Sequence, residues 1–244
     1  MRAGFAVPFV ALALCVEARA AAPASTPRPA APTVKIAVLE LGALGLTSAM
    51  RKNLELLIRN SITTMGGFTV IPPVDVQIAL QNPKNRAVAE CGGGPECAVA
   101  AGKLVGADRV VFGTIGAIGQ NFSLNLRVMD VQTGKELGRD KSNISGSRDL
   151  IIPELRLATY RLVAPDKIRG SLIIEIDVAG VEVEIDGHRV GVTPIREPIG
   201  DLAPGAHVVV LKRPGFSQFQ QEFMVKPFET AKLKLELGKA PAPK

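Results

Sequence analysis

Two cysteines are the residues of this sequence whose type and spacing point most directly to chemistry. Cys91 and Cys97 enclose the stretch Gly-Gly-Gly-Pro-Glu. A metal site would need more ligands nearby, and no histidine occurs before His188. A redox-active pair more often has the spacing Cys-x-x-Cys. In an exported chain the pair therefore predicts a structural disulfide, which would close a small glycine-rich loop and fix the start of the next helix.

Two glycine patterns have the composition of nucleotide-binding loops but not their context. Gly113, Gly116 and Gly119 fall inside a predicted strand and its turn, whereas a dinucleotide fingerprint lies between a strand and a helix. Gly42 and Gly45 do precede a helix, but no Gly-Lys-Ser/Thr follows them. The sequence therefore does not favour nucleotide binding.

Both histidines and a group of carboxylates lie in the last third of the chain. Neither His188 nor His207 has a Ser or Cys nucleophile in a recognisable setting, so hydrolase chemistry lacks support. Glu182, Glu184 and Asp186 alternate along one strand. Paired carboxylates can hydrolyse glycosides, but this alternation is more simply the solvated face of an amphipathic strand. We expect no catalytic residue, no metal and no cofactor, and hence a protein that is not an enzyme.

The first twenty residues have the features of a secretory signal peptide. A positive start and a short apolar stretch lead to an Ala-x-Ala site, which predicts cleavage between Ala20 and Ala21. Cys15 leaves an outer-membrane lipoprotein open as the less favoured alternative. Residues 21–33, rich in Ala and Pro, are predicted to form an extended tether. These features predict an exported protein that resides in the periplasm.

The formal charge of +6 is unevenly distributed. The basic excess lies entirely before residue 166, because the later part carries equal numbers of basic and acidic residues. Such an excess would attract lipid headgroups, cell-wall polymer or nucleic acid, but a solvated basic surface explains it as well. The near absence of Trp and Tyr argues mildly against a platform that stacks sugars or bases. We expect no nucleic-acid partner.

Residues 34–165 have the pattern of an α/β domain with a mixed sheet. An apolar run over 34–41 predicts a strand covered on both faces. Thr47 is a candidate N-cap for an amphipathic helix that ends at Gly66. Its solvated face is predicted to hold Arg51, Lys52, Glu55 and Arg59. Further strands are predicted over 68–71, 108–118, 121–131 and 136–144, the last at the edge of the sheet, and helices over 75–81, 95–105 and 153–163, with a loop over 84–94.

From Gly170 onward the apolar residues alternate with period two, and turn residues separate the segments. Strands are predicted over 171–177, 181–186, 206–212, 217–225 and 230–237. Short strands at this spacing indicate a small all-β sandwich. We place this domain at residues 169–238, followed by a disordered tail over 239–244.

The β domain resembles a PEGA domain. The resemblance rests on five segments: Gly170–Ile174, Val181–Gly187, Val190–Pro194, Leu202–His207 and Lys212–Phe216. The Glu of the signature tetrad is absent, and Pro204-Gly205-Ala206 keeps the rest. It implies a non-catalytic module that mediates interactions at the bacterial envelope.

The α/β domain resembles the amino-terminal domain of TolB and the CsgG fold. The resemblance rests on Lys35–Leu41, Gly106–Gly113 and Leu124–Gly134. It implies a periplasmic accessory or assembly domain. The TolB propeller and the membrane hairpins of CsgG are missing, so neither Tol function nor a secretion pore is implied.

Together these observations predict a non-enzymatic binding or scaffolding protein of the cell envelope. Its expected partners are envelope proteins, cell-wall material or outer-membrane components. Any association with a membrane is expected to be peripheral. A subunit of an oligomeric outer-membrane assembly and an envelope hydrolase are the two alternatives. The predicted contact residues lie in two turns of the β domain: Asp186, Gly187, His188 and Arg189, and Arg213, Pro214, Gly215 and Phe216.

Overall fold

A computed structural model describes residues 33–146 and 148–238. The first domain is built on a mixed β-sheet. The predicted signal peptide and tether, with Cys15 and the Ala20–Ala21 cleavage site, lie outside these ranges, as does the tail over 239–244. The first-domain strands are β1 (Val34–Val38), β2 (Gly42–Leu44), β3 (Phe68–Val70), β4 (Arg109–Ile118), β5 (Asn121–Asp130) and β6 (Glu136–Ser145). The helices are α1 (Ser48–Thr64), α2 (Pro73–Gln81), α3 (Arg86–Ala89), α4 (Pro95–Leu104) and α5 (Ile151–Val163).

The sheet has the order β3-β1-β4-β5-β6, and β2 pairs with β4 beyond the end of β1. The pairs β1–β3 and β1–β4 are parallel, whereas β4, β5 and β6 form an antiparallel meander. Apolar side chains of α1 and α5 pack on one face, and those of α2 and α4 pack on the other. This is the predicted α/β domain with a mixed sheet, and β6 is the edge strand that its polar sequence indicates.

The apolar run over 34–41 is not one strand. It breaks after Val38, and β2 begins at Gly42. The break is held by Glu55 of α1, whose carboxylate accepts a hydrogen bond from the Leu41 N–H at 2.9 Å. The prediction of a single strand is therefore wrong in this detail, because a buried side chain replaces the backbone partner at the break.

The prediction that Glu55 lies on the solvated face of α1 is wrong. Its carboxylate is buried and forms ion pairs with Arg51 at 2.9 Å and Arg59 at 3.6 Å. Arg51 and Arg59 are themselves largely covered, while Lys52 is exposed as predicted. Charge alone placed these residues in solvent, but they pair with one another beside the strand break.

The helix boundaries differ from the sequence prediction at three places, the first being α2, which begins at Pro73 and not at residue 75. The Thr47 side chain caps α1 by accepting a hydrogen bond from the Met50 N–H, as predicted. Residues 84–94 are not simply a loop, because a 3-10 turn over Pro83–Asn85 extends into them and the short α3 follows it. Helix α5 begins at Ile151, two residues before Pro153. A proline is tolerated there because the backbone N–H groups of the first helical turn have no partner within the helix.

The second domain is a sandwich of two sheets. Its strands are β7 (Gly170–Ile176), β8 (Glu182–Ile185), β9 (His188–Val192), β10 (Ile199–Leu202), β11 (Gly205–Lys212), β12 (Phe219–Val225) and β13 (Thr230–Leu235). One sheet has the order β10-β7-β13 and the other β12-β11-β8-β9. Their inner faces share one apolar core. This confirms the predicted sandwich, although β9 and β10 were not anticipated.

The described residues all belong to one compact unit. Within the described ranges, no helix combines the length and the apolar character needed to cross a membrane.

Candidate functional site

The two domains meet where the turn between β12 and β13 packs on α5. Phe228 of this turn lies 4.6 Å, between ring centroids, from Tyr160 in an edge-to-face arrangement. The Arg156 guanidinium lies 4.5 Å from the centre of the Phe228 ring. The Phe228 N–H donates to the Arg169 carbonyl at 2.8 Å. An aromatic residue of one domain is thus held by a ring and a cation of the other.

A lysine fixes the same junction from the other side. Lys167, in the connection between the domains, donates through Nζ to the carbonyls of Met65 at 2.8 Å and Gly66 at 2.6 Å. These carbonyls lie at the carboxy-terminal end of α1, where a cation is favourable. The connection is therefore anchored to α1 while Phe228 is anchored to α5.

A groove of about 700 Å³ runs beside this junction. Its walls come from the end of β6, from the start of α5 and from the β12–β13 turn. Two aliphatic side chains in it are unusually open to solvent, Leu150 at 49% and Ile152 at 56% exposure. The lining residues used below are Asn143, Ser145, Leu150, Ile152, Arg156 and Phe228.

One wall of the groove is the unpaired edge of β6. In an antiparallel ladder, alternate residues bond to one neighbour and the others direct their N–H and C=O groups to the opposite side. The Gly146 N–H donates to the Gln120 carbonyl, and the register continues with Ile144 opposite Phe122. Asn143 and Ser145 therefore direct their backbone groups outward. Among the described residues no other strand pairs with this edge.

The charges in the groove are unequally satisfied. Glu154 is paired with Arg161 at 2.9 Å. Lys226 lies 3.8 Å from Glu229, and both of these side chains are mostly exposed. Arg156 contacts the rings of Phe228 and Tyr160 but has no acidic partner in the described part of the chain. Among the described residues, the groove thus combines apolar walls, free backbone groups and one guanidinium without a counter-charge.

The predicted disulfide is present. Cys91 and Cys97 are joined, with their Cα atoms 5.6 Å apart, at the entry to α4. Within the described ranges, no group of three or more His, Cys, Asp or Glu side chains is arranged to hold a metal ion.

The first predicted contact turn is a tight hairpin between β8 and β9. Asp186 and Gly187 both have positive φ, 49° and 79°, as a two-residue hairpin turn requires. His188 bonds through Nδ1 to the Asp186 carbonyl at 3.1 Å, and Arg189 pairs with Glu182 at 2.7 Å. The turn is exposed, but its polar groups are engaged within the domain.

Asp186 also forms a pair with His207. The imidazole contacts the Asp186 carboxylate at 2.6 Å through Nδ1 and the Ala203 carbonyl at 2.7 Å through Nε2. Since both partners are acceptors, the doubly protonated ring satisfies both. The pKa of His207 is raised, mainly by its hydrogen bond to the Ala203 carbonyl and to a smaller extent by Asp186. The pKa of Asp186 is lowered, mainly by the hydrogen bond from the Val208 N–H and to a smaller extent by His207.

The second predicted turn follows β11, and its Arg213 guanidinium lies 4.8 Å from the centre of the Phe216 ring. Phe216 is half-buried against the sandwich core, while Pro214 and Gly215 are exposed. The register of β8 with β11, Ile185 with Val209 and Glu182 with Lys212, places the two predicted turns at opposite ends of the sheet. The structure therefore does not bring them into one site.

The interdomain groove was missed by the sequence prediction. Its residues come from two stretches of the chain, 143–157 and 226–229, and none carries a motif. The available signals are weak: Leu150 and Ile152 are apolar residues before the predicted start of α5, and Phe228 is an aromatic residue between the last two strands.

Comparison with known proteins agrees with part of the predicted resemblance. Residues 169–241 match the family model described as the PEGA domain, so the presence of a PEGA domain is confirmed. No curated protein matches the chain.

Several solved structures are similar in part. The LpoB carboxy-terminal domain from Salmonella enterica has 19% identity and a TM-score of 0.37, over 48% of this chain and 87% of that one. PelC from Paraburkholderia phytofirmans has 14% identity and a TM-score of 0.37, over 54% of this chain and 88% of that one. TolB from Acinetobacter baumannii has 15% identity and a TM-score of 0.37, over 79% of this chain and 50% of that one. The CsgG resemblance stays a prediction.

Proposed function

We propose that the protein is a non-enzymatic binding protein of the bacterial cell envelope, and that the groove between its two domains holds the partner. The observation that carries this proposal is the groove itself: an unpaired strand edge and exposed Leu150 and Ile152 face a turn of the other domain. Apolar walls with free backbone groups are the features by which protein surfaces recognise other proteins.

The envelope assignment is supported by two independent features of the chain. One is the PEGA domain over residues 169–241. The other is the predicted signal peptide, whose cleavage would release a chain that begins at Ala21. Mass measurement of protein purified from the periplasm tests this cleavage, and a chain that keeps residues 1–20 in the cytosol would contradict it.

A matched pair of variants tests the groove. The exported chain is immobilised, exposed to solubilised envelope proteins, and the retained proteins are identified. Ile152→Glu places a charge in the groove, whereas Ile118→Glu places the same charge on an isoleucine that is 74% exposed at the tip of β4. We expect the wild type and Ile118→Glu to retain the same envelope protein and Ile152→Glu to lose it. Equal retention by all three would remove the groove from the proposal.

The turn from Arg213 to Phe216 is a second candidate contact surface, at the far end of the PEGA domain. The observation that favours it is the exposed Pro214-Gly215 tip next to a cation on an aromatic ring. If this surface holds the partner, Arg213→Ala reduces retention of the partner and Ile152→Glu leaves it unchanged. The two surfaces are thus distinguished by the same experiment.

A further inference from the structure

We propose that the groove binds an extended peptide, which pairs with the free edge of β6 at Asn143–Ser145 and places a carboxylate against Arg156. This inference rests on the proposed function, since it names the kind of partner that the groove accepts. Three properties of the groove carry it: the strand edge, the spacing of its apolar walls, and its charge.

The unpaired edge of β6 suits another strand best at its carboxy-terminal segment. Arg139 and Lys141 carry their charges along its earlier part, and charged side chains of this kind oppose the addition of another strand. Asn143 and Ser145 are short and uncharged, and their backbone N–H and C=O groups face the groove. An extended chain is the partner whose backbone matches such groups.

The apolar walls fit the alternating side chains of an extended segment. Leu150 and Ile152 form one wall, and Phe228 with Pro227 forms the other. Side chains of an added strand point alternately to the two sides of the ladder. The set on the α5 side would therefore contact both walls, because Phe228 itself packs on α5.

The charge of the groove selects an acidic segment. Glu154 is already paired with Arg161, and Glu229 lies beside Lys226. Arg156 has no acidic partner in the described ranges, although its guanidinium is held in place by two aromatic rings. A guanidinium fixed in this way is suited to a carboxylate, with which it can form paired hydrogen bonds.

A display library of random octapeptides provides the probe. The full chain is used for selection, peptides that bind Ile152→Glu are removed, and the enriched peptides are synthesised. We expect enriched peptides to carry Asp or Glu at one fixed position among alternating apolar residues. Methylation of their backbone nitrogens should abolish binding, because it removes the N–H groups that pair with β6. Binding should also shift the amide resonances of Asn143 and Ser145.

Charge variants complete the test. Arg156→Gln should weaken binding of the acidic peptide roughly tenfold, and Arg156→Lys should restore part of the loss. Arg196→Gln, which removes an exposed arginine at the remote end of the PEGA domain, should have no effect. Thermal unfolding of each variant establishes that it is folded.

Three results would overturn the inference: no peptide is enriched, the enriched peptides bind equally well after methylation, or they lack a carboxylate. If the wild type then still retains an envelope protein that Ile152→Glu does not retain, the proposed function is supported even though the groove does not bind an extended acidic peptide. A dimer in sedimentation that Ile152→Glu dissociates would assign the groove to a second copy of the chain, which also overturns the inference.

Discussion

Glu55 is the buried charge on which the break between β1 and β2 depends. Its carboxylate accepts from the Leu41 N–H and neutralises Arg59, whose pKa is lowered by burial and raised in part by Glu55. Glu55→Gln would keep an acceptor for Leu41 but leave Arg59 without a counter-charge. We expect the free energy of unfolding, measured in urea, to fall by about 2 kcal/mol, below the range for fully buried pairs because these side chains keep some contact with water.

Glu90→Gln is the matched control for this change. Glu90 pairs with Arg86 at the same spacing along a helix, but both side chains are exposed. Exposed pairs contribute roughly 0 to 1 kcal/mol, so this variant should unfold almost as the wild type does. Equal losses in the two variants would mean that the buried position of Glu55 has no special role.

The pair of His207 and Asp186 makes stability depend on pH. The pKa of His207 is raised in the folded state, so its contribution is complete below the ordinary value of about 6.5 and is lost as the pH rises through the folded value. The pKa of Asp186 is lowered, so its contribution is lost only as the pH falls below about 3.9. We expect a melting temperature a few degrees higher near pH 5.5 than near pH 8.5.

His207→Gln provides the comparison for the pH effect. Gln can bond to one of the two acceptors but does not titrate, so the difference between the two pH values should shrink. A pH profile that is identical in the variant and the wild type would assign the effect to other groups.

The sequence predicted some of these residues and not others, for a physical reason. The Thr47 cap and the disulfide are local, so the residues that form them are near neighbours in the chain. The roles of Glu55 and Arg156 depend on partners from other elements, and charge alone assigns such residues to solvent. The pair of Asp186 with His207 likewise requires the register of β8 with β11.

Among the elements, the sequence pattern predicts the long strands and helices and misses several of the short ones, although the short β3 and β8 are predicted. Strands β4 and β5 are ten residues each, β4 with a run of consecutive apolar residues and β5 with alternating ones, and the sequence predicts the extent of both closely. Strand β2 has three residues, β10 has four, and α3 has four. Segments of this length contain too few residues for a period, so their pairing partners determine them.

Helix α4 depends on the loop that precedes it. The disulfide joins Cys91 to Cys97 in the first turn of α4, and it restricts the unfolded chain over this short loop. Replacing both cysteines by Ala should lower the free energy of unfolding by about 2 kcal/mol, measured in urea under oxidising conditions. Addition of a reductant to the wild type should produce the same loss, and should leave the double variant unchanged. A reductant effect on the double variant would point to another cause.

At the scale of the whole molecule, the sequence gives the two domains but not their relation. Each has its own core and its own period, so each could be predicted separately. Their contact is made by Phe228 and Lys167, single residues in connecting segments. The groove exists only because this contact holds the PEGA turn beside β6, and for that reason no local pattern could have predicted it.

The contact of Phe228 with α5 should make the two domains unfold together. Phe228→Ala removes the ring that Tyr160 and Arg156 hold, so we expect calorimetry to resolve two transitions in place of one, with the first several degrees below that of the wild type. Phe216→Ala is the control, since this half-buried phenylalanine lies in the PEGA core far from the junction. It should lower the stability of the PEGA domain and leave the Tyr160 environment, followed by its fluorescence, unchanged in the native state. Because the groove needs both domains in place, Phe228→Ala should also lose the envelope partner. If this variant shows two separate transitions and still retains the partner, the contact between the domains is not needed for binding.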